Sequence, residues 1–226
     1  MKNDPVVAIA GVTGAVGAEF IATMDRRRFP VGQLKALASA RSAGKTVDFR
    51  GERIVIEELT ERSFDGVDIA LFSAGGATSR KFAPAAVKAG AVVIDNSSAF
   101  RMDPDVPLVI PEINAQRIRE HKGIIAVPNC SAITALVPLW PIHRVNRIKR
   151  VILSTYQAAS GAGAAAMAEL VESTRASLNG EAYPPKVMAS QCARSTGTRT
   201  QVTPIAMRSS SNIFLVSLMT FVSSSL

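Results

Sequence analysis

At 226 residues, 47% hydrophobic and 19% charged, the chain can bury a sizeable core and build one large domain or one and a half ordinary ones. Its formal net charge of +8 comes from scattered basic residues and only 5% of the chain is aromatic, which argues against a nucleic-acid stacking platform and suits anionic small ligands. No run reaches bilayer length, two cysteines do not make a disulfide framework, and no Cys/His spacing resembles a metal site.

The start, Met1-Lys2-Asn3-Asp4-Pro5, meets a strand pattern at once and lacks a signal-peptide layout, so a cytoplasmic address is expected, with no membrane and no nucleic acid among the partners. Val6-Val7-Ala8-Ile9-Ala10 is a short apolar run. Gly11-Val12-Thr13-Gly14-Ala15-Val16-Gly17 follows it and opens a helical stretch to about Asp25. Small residues between a strand and a helix let backbone approach a pyrophosphate at the helix N-terminus, so this turn is read as a dinucleotide site. Arg26-Arg27-Arg28 falls at the end of that helix, where it complements the dipole.

A second strand over 34–39 ends in Ala40-Arg41-Ser42-Ala43-Gly44-Lys45. A carboxylate there would suit the ribose diol of NAD; Arg41 and Ser42 instead suit the 2′-phosphate of NADP, which is the cofactor expected. Residues 46–49 and 53–57, joined through Gly51, look like a hairpin decorating the domain. Further strands are predicted over 68–73 and 91–96, with a helix over 78–89 between them. Ser73, Gly75 and Asn96 follow strand ends, at the edge where open α/β sheets bind ligands. The fold class expected is a doubly wound, Rossmann-like parallel sheet over 1–129.

Ala126-Val127-Pro128-Asn129-Cys130-Ser131 then sets a thiol where an extended run ends and a helix-like run begins, a place that favours thiolate over thiol. Cys130 is the candidate nucleophile. A helix to about 144, a strand over 149–158 and a small-residue helix over 162–177 follow.

Taken in order, Gly11 to Gly17, Ser39 to Gly44, Phe72-Ser73-Ala74-Gly75, Asp95-Asn96-Ser97-Ser98-Ala99-Phe100-Arg101, Pro104 to Asn114, Pro128-Asn129-Cys130-Ser131 and Ser154 to Gly163 closely resemble the aspartate-semialdehyde dehydrogenases over roughly the first 185 residues. That resemblance implies NADPH-dependent reductive dephosphorylation of aspartyl phosphate to the semialdehyde, in lysine, threonine and methionine biosynthesis. It implies Cys130 as nucleophile, Arg101 as the phosphate-binding arginine, Asn129 and Gln157 as substrate contacts, and Thr13, Gly14, Ala15, Val16, Arg41, Ser42, Ser160 and Gly161 as cofactor contacts. N-acetyl-glutamyl-phosphate reductase shares the fold and chemistry, but the blocks around Cys130 and 154–163 favour the first reading. A non-catalytic NADP-binding remnant is a third.

Family members are longer, and the resemblance assigns the acid/base histidine and the substrate-carboxylate arginine to the part beyond this match. His121 and His143 occupy neither motif, so a poor enzyme is expected. Residues 130–188 are read as the incomplete start of an α+β substrate and dimerisation domain with an unpaired strand edge, so the family homodimer is not expected to form readily. The tail over 189–226 reads as aberrant. Back-translated from the third base of the Arg194 codon, permitted codons give Phe-Asn, two unmatched residues and Pro-His, which resembles the family's own continuation, so a frameshift near Ala193 is inferred. The apolar run from Ile213 to Val222 is β-prone and free of charge.

Overall fold

Alternation of side chains along buried strands explains the core of the first unit. In the computed structural model, which describes residues 4–156, 159–184, 186 and the backbone of 213–219, β1 (Val6–Ala10) sends Val7 and Ile9 to one face and Ala8 and Ala10 to the other. The first pair packs with Val12, Met24, Leu34, Ala36 and Ile56, under α1 (Ala15–Arg26). The second packs with Phe64, Phe72, Ala83, Ala86 and Val93, under α2 (Gly76–Lys88). The face of β1 under α1 therefore carries branched side chains, and the buried residues of the face under α2 are alanines.

The other strands of this sheet are β2 (Gln33–Ala38), β3 (Thr46–Phe49), β4 (Glu52–Glu58), β5 (Ile69–Phe72), β6 (Val92–Asp95) and β7 (Ile124–Ala126). Their order is β3-β4-β2-β1-β5-β6-β7, and every pairing is parallel except that of β3 with β4. This is the doubly wound sheet expected from the alternating pattern. The hairpin is more than a decoration. Because β4 pairs in parallel with β2, placing Ala36 opposite Ile56, the hairpin lengthens the sheet by two strands and buries Ile56 and Phe49. Its tip, Arg50-Gly51, has φ of 53° and 82°, as a tight two-residue hairpin turn requires.

The chain divides into two compact units, residues 1–133 and 134–226. A four-residue helix α3 (Pro111–Asn114) belongs to the first. Helix α4 (Cys130–Val145) begins in the first unit and continues into the second, where β8 (Arg150–Tyr156) and α5 (Ala164–Leu178) follow. An unpaired edge was expected for β8. β9 (Ile213–Met219) pairs with it in parallel, Arg150 opposite Ile213 through Tyr156 opposite Met219, so the β-prone tail segment satisfies one edge of β8, and no described strand pairs with the other. Gln157 and Cys192 lie outside the described residues, as do 187–212 and 220–226. Among the described residues no helix is long and apolar enough to cross a membrane.

Candidate active site

Six parallel strands deliver their C-terminal ends to one edge, and a ladder of backbone hydrogen bonds fixes how the chain leaves β5, β6 and β7. Ser73 N–H donates to the Ala10 carbonyl (2.9 Å), Asn96 N–H to Phe72 (2.9 Å) and Val127 N–H to Asp95 (2.9 Å). The loops bearing Gly11, Ser73, Asn96 and Cys130 therefore start in register with one another.

The glycine turn is bonded to β2 through the Gly11 and Val12 N–H groups, which donate to Leu37 (2.9 and 3.2 Å). Gly11 has φ of 93°, and a Cβ there would lie 2.6 Å from the Ser73 carbonyl oxygen. A Cβ on Gly17 would lie 2.4 Å from the Gly11 oxygen, so only glycine lets α1 start this close to the turn. Gly14 is the residue before α1, which has neither a side-chain cap nor an acidic residue in its first turn. Thr13, Gly14 and Ala15 are exposed, Val16 is half-buried and Gly17 is buried. The turn thus presents backbone N–H groups and a positive helix end with no competing anion of its own. Helix α2 begins alike, after Gly75 at φ of 85°, again with no side-chain cap.

At the end of β2, Arg41 is exposed but Ser42 is turned inward at 8% exposure. Ser39 supplies the exposed serine at this corner, a residue that sequence reasoning passed over because it was counted as the end of the strand.

Cys130 opens α4 and is exposed. Asn129 caps that helix: its Oδ1 accepts from the Ser131 N–H (2.9 Å), and its carbonyl accepts from Ile133 (3.0 Å). Buried Pro128 precedes it, and the 107–109 segment braces β7, with Val109 N–H donating to Ala126 and Ala126 N–H to Pro107 (both 3.0 Å).

Arg101 reaches this turn from the β6 loop. Its Nε donates to the Val127 carbonyl (2.8 Å) and its Nη2 to the Asn96 carbonyl (3.1 Å), so the guanidinium bridges the exits of β6 and β7. Burial lowers its pKa, while the charges of Asp95 and Cys130 act in the opposite direction. Two donor positions are spent on backbone, and the Nη1 edge has no hydrogen bond recorded among the described residues. Arg101 also lines an open pocket of about 450 Å³, together with Met102, Pro104, Leu108, Asn114 and Arg117 among others, and Cys130 is not part of it.

Below Arg101 sits a carboxylate that sequence reasoning quoted but gave no role. Asp95 is fully buried; its Oδ1 accepts from Ser79 Oγ (2.7 Å) and Ser97 N–H (3.2 Å), and its Oδ2 from Ser97 Oγ (2.7 Å). The available signal was an acidic residue closing the apolar run Ala91-Val92-Val93-Ile94. Both histidines make local bonds: His121 Nδ1 accepts from the Gly123 N–H (3.0 Å) and His143 Nδ1 from the Ile148 N–H (3.2 Å). Ser160 and Gly161 lie in a short turn, 159–162, of the second unit. Among the described residues no group of three or more His, Cys, Asp or Glu side chains could hold a metal ion.

The profile of the semialdehyde dehydrogenase NAD binding domain matches residues 6–121, and that of the semialdehyde dehydrogenase dimerisation domain matches residues 139–202. Aspartate-semialdehyde dehydrogenase of Bacillus subtilis is 51% identical over 182 residues, covering 80% of this chain and 53% of that protein. The crystal structure of aspartate semialdehyde dehydrogenase II of Vibrio cholerae complexed with ASA superposes with a TM-score of 0.75 at 46% identity, over 82% of this chain and 56% of that one. The enzyme of Candida albicans with NADP is more distant, with a TM-score of 0.57 at 25% identity over 70% of this chain and 52% of that one. The chain spans about half the length of the curated relatives it matches. With the glycine turn, the strand-end ladder and the thiol at the start of α4 all inside the matched region, this chain belongs to the semialdehyde dehydrogenase family.

Proposed function

We propose that this chain carries the cofactor and nucleophile half of an aspartate-semialdehyde dehydrogenase: an NADPH-dependent oxidoreductase acting on L-aspartyl 4-phosphate through a cysteine thioester. The observation that supports it most is Cys130, exposed at the first turn of α4 on the same sheet edge as the uncapped glycine turn, with the Arg101 guanidinium bound across the intervening strand exits.

The residues of this edge fit a dinucleotide. The backbone from Gly11 to Gly17 would hold its pyrophosphate, Arg41 and Ser39 its 2′-phosphate, and the loops at Ser73, Gly75 and Asn96 its nicotinamide half. Ser42, being inward, would support that corner from behind. When bound, NADPH supplies the hydride that the thioester carbon accepts. The chain's own residues do the rest. The Cys130 thiolate adds to the acyl carbon, its S–C bond forms, and the C–O bond to phosphate breaks as inorganic phosphate leaves. Arg101 offers its remaining N–H edge to the phosphoryl oxygens, and Asn129 keeps α4 aligned so that the sulfur faces the substrate. Once the hemithioacetal has formed, the S–C bond breaks, releasing the aldehyde and returning the thiolate.

Ser160, Gly161 and Gln157 complete the reading only by resemblance. The acid/base histidine and carboxylate-binding arginine belong, by the same resemblance, to the part of relatives outside this match. A positioned acid/base contributes about 10²- to 10⁴-fold to rate, so turnover measured on these 226 residues alone is expected to be lower by that factor than turnover with such a part present.

The test is phosphate-dependent reduction of NADP with L-aspartate semialdehyde, at high protein concentration. A slow rate that disappears in Cys130→Ala supports the proposal. NADPH binding with no turnover would select the non-catalytic reading, and equal activity in Cys130→Ala would contradict it.

A further inference from the structure

A carboxylate with no exposure is costly unless several donors compensate it, and a turn needs no ion to form it. Asp95 nonetheless closes β6 as a fully buried acid, held by two hydroxyls and an amide. Ser79 comes from α2, while Ser97 lies in the loop itself and passes the constraint on, its Oγ accepting the Ala99 N–H (3.0 Å). Two residues later that loop delivers Arg101. Backbone geometry repeats the link: the Asp95 carbonyl holds Val127 N–H, and the Val127 carbonyl holds Arg101 Nε. Asn96, adjacent to Asp95, holds Arg101 Nη2.

We propose that Asp95 is a positioning residue, whose buried carboxylate acts through Ser97 and the 96–101 loop to fix the Arg101 guanidinium on the Val127 carbonyl, three residues before Cys130. The charged groups in electrostatic reach of Arg101 are Asp95 from the end of β6 and Cys130 from the start of α4, so the arginine lies within the influence of both. Ser79 couples the arrangement to α2, whose first turn lies on the cofactor edge. The inference rests on the reading of Cys130 as the nucleophile.

The two electrostatic consequences of Asp95→Asn have opposite signs, and this makes the proposal testable. Removing a nearby negative charge by itself lowers the pH at which Cys130 becomes reactive; losing the guanidinium's position raises it. The full 226-residue chain in a Cys192→Ser background is alkylated with iodoacetamide across a pH series, and the Cys130 peptide is quantified by mass spectrometry. Arg101→Met gives the size of the arginine effect, expected as an upward shift. Asp95→Asn is expected to shift the midpoint upward too, and combining it with Arg101→Met is expected to add nothing further. Ser97→Ala keeps every charge and is expected to shift it in the same direction by a smaller amount; this variant decides the matter if Asp95→Asn does not fold. A midpoint that falls or stays put in a folded Asp95→Asn protein, or that stays put in Ser97→Ala where Asp95→Asn does not fold, overturns the positioning role alone, provided Arg101→Met still shifts. If Arg101→Met leaves the midpoint unmoved at the value of a small thiol, the positioning role and the nucleophile reading both fall.

Discussion

Gly17 is pinned by geometry that any side chain would violate. Its missing Cβ would sit 2.4 Å from one backbone oxygen and 2.6 Å from another, neither of which can move without opening the turn. Gly17→Ala is expected to destabilise the fold by about 1–3 kcal/mol in chemical denaturation, and to weaken NADPH binding in parallel, because the turn must shift. Arg41 belongs to the opposite class, being exposed and without a structural duty among the hydrogen bonds recorded for the described residues. Arg41→Ala is expected to weaken NADPH at least tenfold in a fluorescence titration while leaving NADH unchanged, since one charge-assisted contact contributes about 1.5–3 kcal/mol. Equal losses for both cofactors would contradict the 2′-phosphate assignment.

At the level of elements, the hairpin and first helix lock one another. Arg50 Nη2 donates to the Phe29 carbonyl (2.7 Å) and to Met24 (3.4 Å), and its Nε lies 3.7 Å from Asp25 Oδ1, so the hairpin tip caps the C-terminal end of α1. Arg50 pays for this with a left-handed backbone (φ 53°). Arg50→Ala, which keeps the strain and loses the bonds, is expected to cost about 1–2 kcal/mol by thermal or denaturant unfolding. Such links explain what could be read in advance. Strand-turn-helix order was legible because apolar runs and glycine turns are local signals, and so was the exposed thiol on its Pro-Asn turn. That β4 joins β2 was not, since pairing partners distant in sequence leave no local trace. The inward rotation of Ser42 and the burial of Asp95 were likewise invisible, since each depends on which face a side chain takes once its neighbours have packed, whereas the cap at Asn129 is a local signal of an asparagine just before a helix.

Across the molecule, the first unit carries the glycine turn, the strand-end loops and Cys130, and the match to relatives covers about half of their length. The inferred frameshift point, near Ala193, lies outside the described residues, and the reading stands as a proposal. Sequencing the coding DNA checks it, with a family-like continuation in the shifted register expected and an unrelated one refuting it. Whatever follows residue 186, Cys130, the proposed nucleophile, and the groups that hold Asp95, Arg101 and Asn129 lie within residues 79–133, inside one unit. The covalent step should therefore be observable even where turnover is slow. Incubating the 226-residue chain with L-aspartyl 4-phosphate in the absence of NADPH, then mapping the protein by mass spectrometry, tests this most directly. The account predicts an aspartyl thioester on the Cys130 peptide, discharged by hydroxylamine and absent from Cys130→Ala; an unmodified Cys130, or acylation that persists in Cys130→Ala, would contradict it.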